Sequence, residues 1–332
     1  MIFSSNPKRK FTVLITGCSP GGIGAALATT FHDAGHHVYA TARDPVKLKP
    51  LADRGITTIP LDISSSVSIQ SAVAAVSELS TSLDILVNNA AASYSMPVAD
   101  ISLDAARELF NTNVWGQIAV TQAFLPLLLA RSSPPQSSAW WWCNSREQHQ
   151  PMIVNHTSVG SVMAVPFQSV YNASKAALAM FSQTLRMEMA PFGVQVAELK
   201  TGGVRTNIIA NNNVHKGGGD RDPKTRATSS TSPSAPGAGH LPASSIYAPA
   251  RSVVEHAMSQ EQLAGRGITP EQWAREVAAL LLSGSPPQVI WKGESSAAAR
   301  AATLLPSWLF EGFLKSMTML DEVERIIKQS RN

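Results

Sequence analysis

Cysteine is scarce in this chain of 332 residues. Cys18 and Cys143 are the only two, neither stands in a metal-ligand spacing, and a disulfide framework is not implied. A reducing compartment is the default for such a chain, so the expected location is cytoplasmic. No run of about 18 apolar residues occurs, so no transmembrane helix is expected. The stretch "FLPLLLA" at 124–130 is too short to span and reads as the end of a buried helix. The residues before the first apolar run include Lys8, Arg9 and Lys10 but no apolar segment of a secretory signal. Those three basic residues read as a solvated lead-in. Charged residues make up only 15% of the chain and the net charge is +4, with no basic block long enough to argue for nucleic acid. The apolar fraction of 44% excludes a disordered chain. There is no internal repeat.

Short apolar runs alternate with helical patterns. The runs lie at 11–16, 36–41, 56–60, 83–87, 152–157, 193–199 and 288–291. They are rich in Val, Ile, Leu and Thr and mostly do not alternate with polar residues, as strands covered on both faces read. Helical patterns lie between them at about 23–34, 66–80, 102–130, 168–190 and 270–283. This order predicts an α/β fold with a doubly wound parallel sheet of seven strands and helices on both faces, built as a single domain.

Two segments break the rhythm. Residues 132–150 contain Trp140, Trp141 and Trp142 and make too long a link from helix to strand. They read as a surface loop, an interaction patch or translated intron. Residues 211–245 are rich in Asn, Gly, Ser, Thr and Pro and are expected to be mobile. In a parallel sheet, links from helix to strand lie at the amino edge, and those from strand to helix at the carboxyl edge where ligands bind. The first insert is therefore expected far from the chemistry, and the region 200–260 beside the substrate.

The stretch "TGCSPGGIG" at 16–24 joins the first strand to the first helix. Gly17, Gly22 and Gly24 suit close approach of the chain to a pyrophosphate, whose charge the amides at the helix start would meet. A tight structural turn explains the glycines equally well. At the end of the second strand an acid would bind the ribose of NAD; here Ala42 holds that place and Arg43 follows. An arginine can hold a 2′-phosphate, which favours NADP(H), although Asp44 could neutralise it. Tyr171 and Lys175, four apart in a helical pattern, share one face. Ser158 ends the strand before them. The serine and tyrosine hydroxyls can converge on one carbonyl oxygen, with Lys175 lowering the phenol pKa so that Tyr171 serves as acid or base.

In this order the motifs resemble those of the short-chain dehydrogenase/reductase family, whose fold is of the Rossmann type. They are "TGCSPGGIG", "LDI" with Asp62, "NNAA" at 88–91, "NTNVWG" at 111–116, Ser158 and "YNASK". The resemblance covers about residues 10–210 and recurs near 270–292. It implies that Gly17, Ser19, Gly22, Ile23 and Gly24 line the pyrophosphate and that Asp62 and Ile63 flank the adenine. It places Asn88, Asn89 and Ala90 at the strand end beside the cofactor. Asn113 would hold a water linking Lys175 to solvent, Ser158 would orient the substrate oxygen, Tyr171 would be the acid/base, and Lys175 would bind the nicotinamide ribose. Gly202, Val204 and Thr206 would meet the nicotinamide end. The sequence departs from the family in three places: one added residue in the glycine loop, Ala91 for a glycine, and Thr201 for a proline before Gly202. The longer loop, "ATARD" and "TGGVRTN" are most similar to fungal reductases of the acyl-dihydroxyacetone-phosphate reductase type, relatives of which serve secondary metabolism.

The resemblance implies interconversion of a ketone and a secondary alcohol on a fairly apolar small molecule or lipid, without a metal. Oxidation of an alcohol uses the same residues, and a catalytically silent NADP-binding or scaffold protein is the alternative of another class. A homo-oligomer joined through the helices near 102–130 and 168–190 is implied as well. The tail at 300–332 is helical in pattern. Its part 303–320 reads either as a helix packed on the core or lining the substrate entrance, or as one lying on an endoplasmic reticulum or lipid-droplet surface.

Overall fold

A computed structural model describes residues 9–132, 150–206, 240–261, 265–283, 285–306 and 308–331. Seven strands form one parallel sheet: β1 Thr12–Ile15, β2 His37–Ala42, β3 Thr57–Pro60, β4 Ile85–Asn88, β5 Met152–Ser158, β6 Gln195–Thr201 and β7 Val289–Lys292. Their order across the sheet is β3-β2-β1-β4-β5-β6-β7. The direction of winding reverses between β1 and β4, which opens a crevice at their carboxyl ends.

The strands lack alternation because both faces are covered. One face of β1, carried by Val13 and Ile15, packs with Leu27 and Phe31 of α1 (Ile23–Asp33) and with Trp273 and Val277 of α8 (Pro270–Leu281). The other face, with Leu14 and Leu86, packs under Val76 of α3 (Ser66–Leu79) and Val120 and Phe124 of α5 (Gly116–Leu129). Each such buried side chain contributes roughly 1.5–3 kcal/mol. A third apolar cluster lies to one side, where Tyr94, Leu109, Phe167, Val170, Val254 and Val323 meet. It joins α4 (Leu103–Phe110), α6 (Ser169–Met189), α7 (Arg251–Ser259) and α11 (Leu320–Ser330).

The expected helix at 102–130 is two helices, α4 and α5, joined by a π-helical turn at Asn111–Trp115. Such turns often mark functional positions. The expected helix at 303–320 is shorter, running only over 308–317. The tail carries α9 (Ser296–Ala302), α10 (Trp308–Met317) and then α11, with Met319 at φ 58 turning the chain between the last two. The short α2 (Lys49–Ala52), α7 and α9 have no counterpart among the expected helices.

At the amino edge, the buried carboxylate of Asp84 pairs with Arg9 at 3.1 Å and Arg131 at 2.8 Å, and accepts the Thr12 N–H at 2.9 Å. Arg9 is therefore a structural ion-pair partner rather than a solvated charge. Arg131, one residue before the last described one ahead of the first insert, thus stands at this same edge, at the opposite end of the strands from the crevice. Residues 133–149, with Trp140, Trp141 and Trp142, and residues 207–239 lie outside the described residues. Among the described residues no helix is long and apolar enough to cross a membrane, and no cluster of side chains could hold a metal ion.

Candidate active site

The carboxyl ends of β1 and β4 are laced together. Thr16 Oγ1 accepts the N–H groups of Asn89 and Ala90, each at 2.9 Å. Asn89 Nδ2 donates to the carbonyls of Thr16 at 2.8 Å and Gly17 at 3.1 Å. Gly17 has φ +74, and a Cβ on it would stand 2.7 Å from Ala90 Cα. A Cβ on Gly24 would lie 2.5 Å from both the Gly17 carbonyl and Asn89 Nδ2. Close approach of three backbone segments fixes these two glycines and leaves a cradle with no side chain in it.

The added residue of the loop is absorbed by a turn. The Gly22 N–H donates to the Ser19 carbonyl at 3.1 Å, Pro20 takes the second position, and Gly21 the third with φ +70. These are the marks of a type II β-turn. Cys18 N–H donates to the Thr41 carbonyl at 2.7 Å and ties the loop to β2. The following helix α1 starts at Ile23 with no side-chain cap and no acid in its first turn, a terminus suited to an anion.

Arg43, at the end of β2, is exposed and makes no ion pair or hydrogen bond among the described residues. Asp44 does not neutralise it. Its carboxylate accepts the Val46 N–H at 3.0 Å and caps the short 3-10 turn Pro45–Leu48. Asp62 closes its own turn by accepting the Ser64 N–H at 2.9 Å. The carbonyl of Ile63 lies so near α5 that a Cβ on Gly116 would come within 2.7 Å of it.

The side chains of Asn88 and Asn113 tie neighbouring elements together. Asn88 is fully buried, and its amide donates to Thr121 Oγ1 at 2.8 Å and Asn155 Oδ1 at 2.9 Å. It joins the sheet to α5 and does not face the crevice, because it ends β4 pointing into that layer. Asn113 spends both amide protons on the Ala92 carbonyl at 2.9 Å and Ser174 Oγ at 3.1 Å, and its Oδ1 accepts the Ala92 N–H at 2.8 Å. The side chain fixes the loop after β4 against α6.

Ser158, Tyr171 and Lys175 come together. Ser158 Oγ accepts the Gly160 N–H at 3.1 Å, capping the 3-10 turn Val159–Ser161. Lys175 is 2% exposed, donates from Nζ to the His156 carbonyl at 2.8 Å and lies 5.9 Å from the centre of the Tyr171 ring. Burial pushes its pKa down to about 7. Burial also raises the Tyr171 phenol above its ordinary value, and hydrogen bonding with Ser158 draws it part of the way back. The phenol thus stands above its ordinary value through burial, where the spacing of Tyr171 and Lys175 suggests a lowering.

His156 extends this group across the sheet. Its Nδ1 lies 2.9 Å from Asn89 Oδ1 and its Nε2 2.7 Å from Thr201 Oγ1. Since the Asn89 amide protons go to Thr16 and Gly17, the histidine donates from Nδ1 and accepts from Thr201 at Nε2. The ring stacks on Trp273 with centres 5.3 Å apart. Burial, with the charge of Lys175, holds its pKa at about 3, so the imidazole is neutral. A bonded line therefore runs from the Gly17 turn through Asn89 and His156 to Thr201. In the sequence His156 belongs to an apolar strand, and its one signal is a histidine two residues before the serine.

After Thr201 the chain is held closely. The Gly202 N–H donates to the Lys292 carbonyl at 2.8 Å, and Gly202 has no room for a Cβ beside Glu294. Val204 pairs with Ile268 and packs on the core, while Thr206 is the last residue described before the gap. The site thus brings together the glycine turn, Arg43, Ala90, Ser158, Tyr171, Lys175 and the 202–206 segment along one edge. The side-chain-free cradle and the unpaired Arg43 fit a dinucleotide.

A dinucleotide cradle beside a serine, tyrosine and lysine defines an oxidoreductase that uses a nicotinamide cofactor on carbonyl and alcohol groups. The sequence model of the short chain dehydrogenase family matches residues 11–217. A short-chain dehydrogenase/reductase of Pestalotiopsis microspora is 44% identical over 319 residues, covering 96% of this chain and 98% of that protein. The NADPH-dependent 1-acyldihydroxyacetone phosphate reductase of Schizosaccharomyces pombe is 34% identical over 314 residues, covering 90% of each. A short-chain dehydrogenase from Streptomyces avermitilis has the same fold at a TM-score of 0.66 and 23% identity, covering 96% of this chain and 98% of that one. The chain belongs to the short-chain dehydrogenase family.

Proposed function

We propose that this enzyme uses NADPH to reduce a ketone on an apolar small molecule or lipid to a secondary alcohol. Arg43 carries the cofactor choice. It is exposed and unpaired among the described residues, and Ala42 stands where an acid would repel a 2′-phosphate. The name of the Schizosaccharomyces pombe relative, as an NADPH-dependent reductase, supports the same reading. An apolar substrate is supported by the cluster that packs against Tyr171, including Tyr94, Met96, Phe167, Val170 and Tyr247.

Gly17, Gly22 and Gly24 would hold the pyrophosphate, Arg43 the 2′-phosphate, and Lys175 the nicotinamide ribose. The bound nicotinamide supplies the hydride. Ser158 Oγ and the Tyr171 hydroxyl hold the carbonyl oxygen and favour the charge that builds on it. Tyr171, kept protonated by its raised pKa, passes its proton to that oxygen as it becomes an alkoxide.

A ketone panel with NADPH or NADH consumption as readout tests this. NADPH should be preferred, and Arg43→Leu should cut that preference about ten- to hundredfold, the worth of a charge-assisted hydrogen bond or two. Equal use of both cofactors by the wild type would overturn the NADP assignment.

Two associations belong to the same reading. A second copy of the chain would cover Trp115, Met180, Phe181 and Met187, which stand exposed on the π-helical turn and α6. A cytoplasmic enzyme resting on an endoplasmic reticulum or lipid-droplet surface would use Leu305, Trp308, Leu309 and Phe313, exposed on and before α10.

A further inference from the structure

The buried ion pair of β6 has no part in the chemistry described so far. Glu198 and Lys200 are 2% and 6% exposed, and Lys200 Nζ lies 2.6 Å from Glu198 Oε1. Two residues apart on a strand, they share one face. A buried ion pair is weak evidence for stability, because desolvating two charges costs about as much as their attraction returns. This pair is not even fully satisfied: Glu198 Oε2 is buried with no hydrogen-bond partner.

Its two ends grip the chain on either side of Ser158. Thr157 Oγ1 donates to Glu198 Oε1 at 2.8 Å, with the Leu199 carbonyl 3.2 Å away. Lys200 Nζ donates to Ser161 Oγ at 2.9 Å, and its ammonium lies 5.6 Å from the centre of the Trp291 ring. Thr157 immediately precedes Ser158. Ser161 closes the 3-10 turn whose Gly160 N–H is bonded to Ser158 Oγ at 3.1 Å. The same turn abuts α6 one residue from Tyr171, where a Cβ on Gly160 would come within 2.7 Å of Asn172 Oδ1. Moving Ser161 therefore moves the donor that fixes the Ser158 rotamer, and shifts Ser158 relative to Tyr171.

We propose that Glu198 and Lys200 are positioning residues for Ser158: through Thr157 and Ser161, the pair sets the Ser158 hydroxyl against Tyr171 for carbonyl capture. The inference rests on the reading of Ser158 as the group that orients the substrate oxygen. It adds a determinant that acts on turnover and not on cofactor binding.

Variants that leave the ion pair intact test it. Thr157→Val with Ser161→Ala removes both grips while keeping the two charges paired; Thr157→Ser with Ser161→Thr retains both hydroxyls. Ser158→Ala is measured beside them. The readouts are kcat and KM with NADPH and the fastest ketone of a panel, the NADPH Kd by fluorescence, and the melting temperature. In the first double variant kcat should fall about ten- to hundredfold, as a small misplacement of a reacting group does. Its NADPH Kd should stay within about twofold of wild type and its melt within a few degrees, and the second double variant should restore kcat. Unchanged kcat in the first variant, with Ser158→Ala strongly impaired, overturns the positioning role alone. Unchanged kcat in Ser158→Ala overturns the reading of Ser158 and the inference with it. A joint loss of kcat and NADPH affinity marks a general structural role and also overturns it.

Discussion

Lys175 and His156 are joined twice: the ammonium donates to the histidine's carbonyl at 2.8 Å, and its charge helps keep the imidazole ring neutral. The reacting side of the site and the cofactor cradle thus share one residue. His156 holds Lys175 through its backbone and, through its ring, connects Asn89 with Thr201.

Removal of the phenol oxygen should separate chemistry from binding. Tyr171→Phe should lower kcat by about 10²–10⁴-fold, the usual worth of a positioned general acid. The NADPH Kd, followed by fluorescence, should change little. Retained turnover would sink the assignment of Tyr171.

The alkaline side of the pH profile should belong to Lys175. Its pKa is pushed down to about 7, so its cation is present below that pH and lost above it. The Tyr171 phenol is raised and stays protonated through the same range. In free enzyme, kcat/KM for ketone reduction should therefore decline as the pH rises through about 7. A Lys175→Met variant should be far slower at every pH, and its profile should lack that limb.

Acid should act through His156. The unfolded chain takes up its proton near the ordinary value of 6.5, whereas the folded protein refuses it until about 3. The unfolded state then binds more protons, so stability is full above the ordinary value and falls as the pH drops from there toward 3. His156→Gln should melt lower at neutral pH, by about 1–3 kcal/mol for lost hydrogen bonds. It should lose less on acidification. Parallel slopes for the two proteins in thermal melts across this range would refute the buried neutral imidazole.

Assembly should depend on the apolar patch of α6. Trp115 and Phe181 make an edge-to-face contact with ring centres 6.0 Å apart, yet remain 54% and 42% exposed. In the proposed oligomer, Phe181→Asp should shift the sedimentation-velocity profile toward monomer, with the monomer still folded. A monomeric wild type would end the proposal.

Much of this was legible in order and composition. Seven unalternating apolar runs foretold a covered parallel sheet, and seven strands form one. Gly17, Gly24, Ser158, Tyr171 and Lys175 stand where the motifs put them, since a cradle and a helical face are local patterns. The side-chain partners of Asn88 and Asn113 were not legible. Both are polar residues at element ends, and only the packing of α5 and the loop at Ala92 decides what their amides meet. His156, Glu198 and Lys200 escaped for a related reason: their partners lie on neighbouring strands and helices far off in sequence. The strand expected to stop at 199 continues through Lys200 to Thr201, carrying the ion pair with it. The effect of burial on the phenol was not legible, because the spacing of Tyr171 and Lys175 reveals their proximity but not their desolvation.

The glycine turn also carries the thiol of Cys18. It is wholly buried, directed at the Ile15 carbonyl, and pushed up to about 12 by desolvation. Thiolate is the form that alkylating reagents and oxidants attack, and here it is essentially absent at physiological pH. An enzyme whose trade is the transfer of reducing equivalents thereby holds the sulfur beside its cofactor cradle as the unreactive thiol.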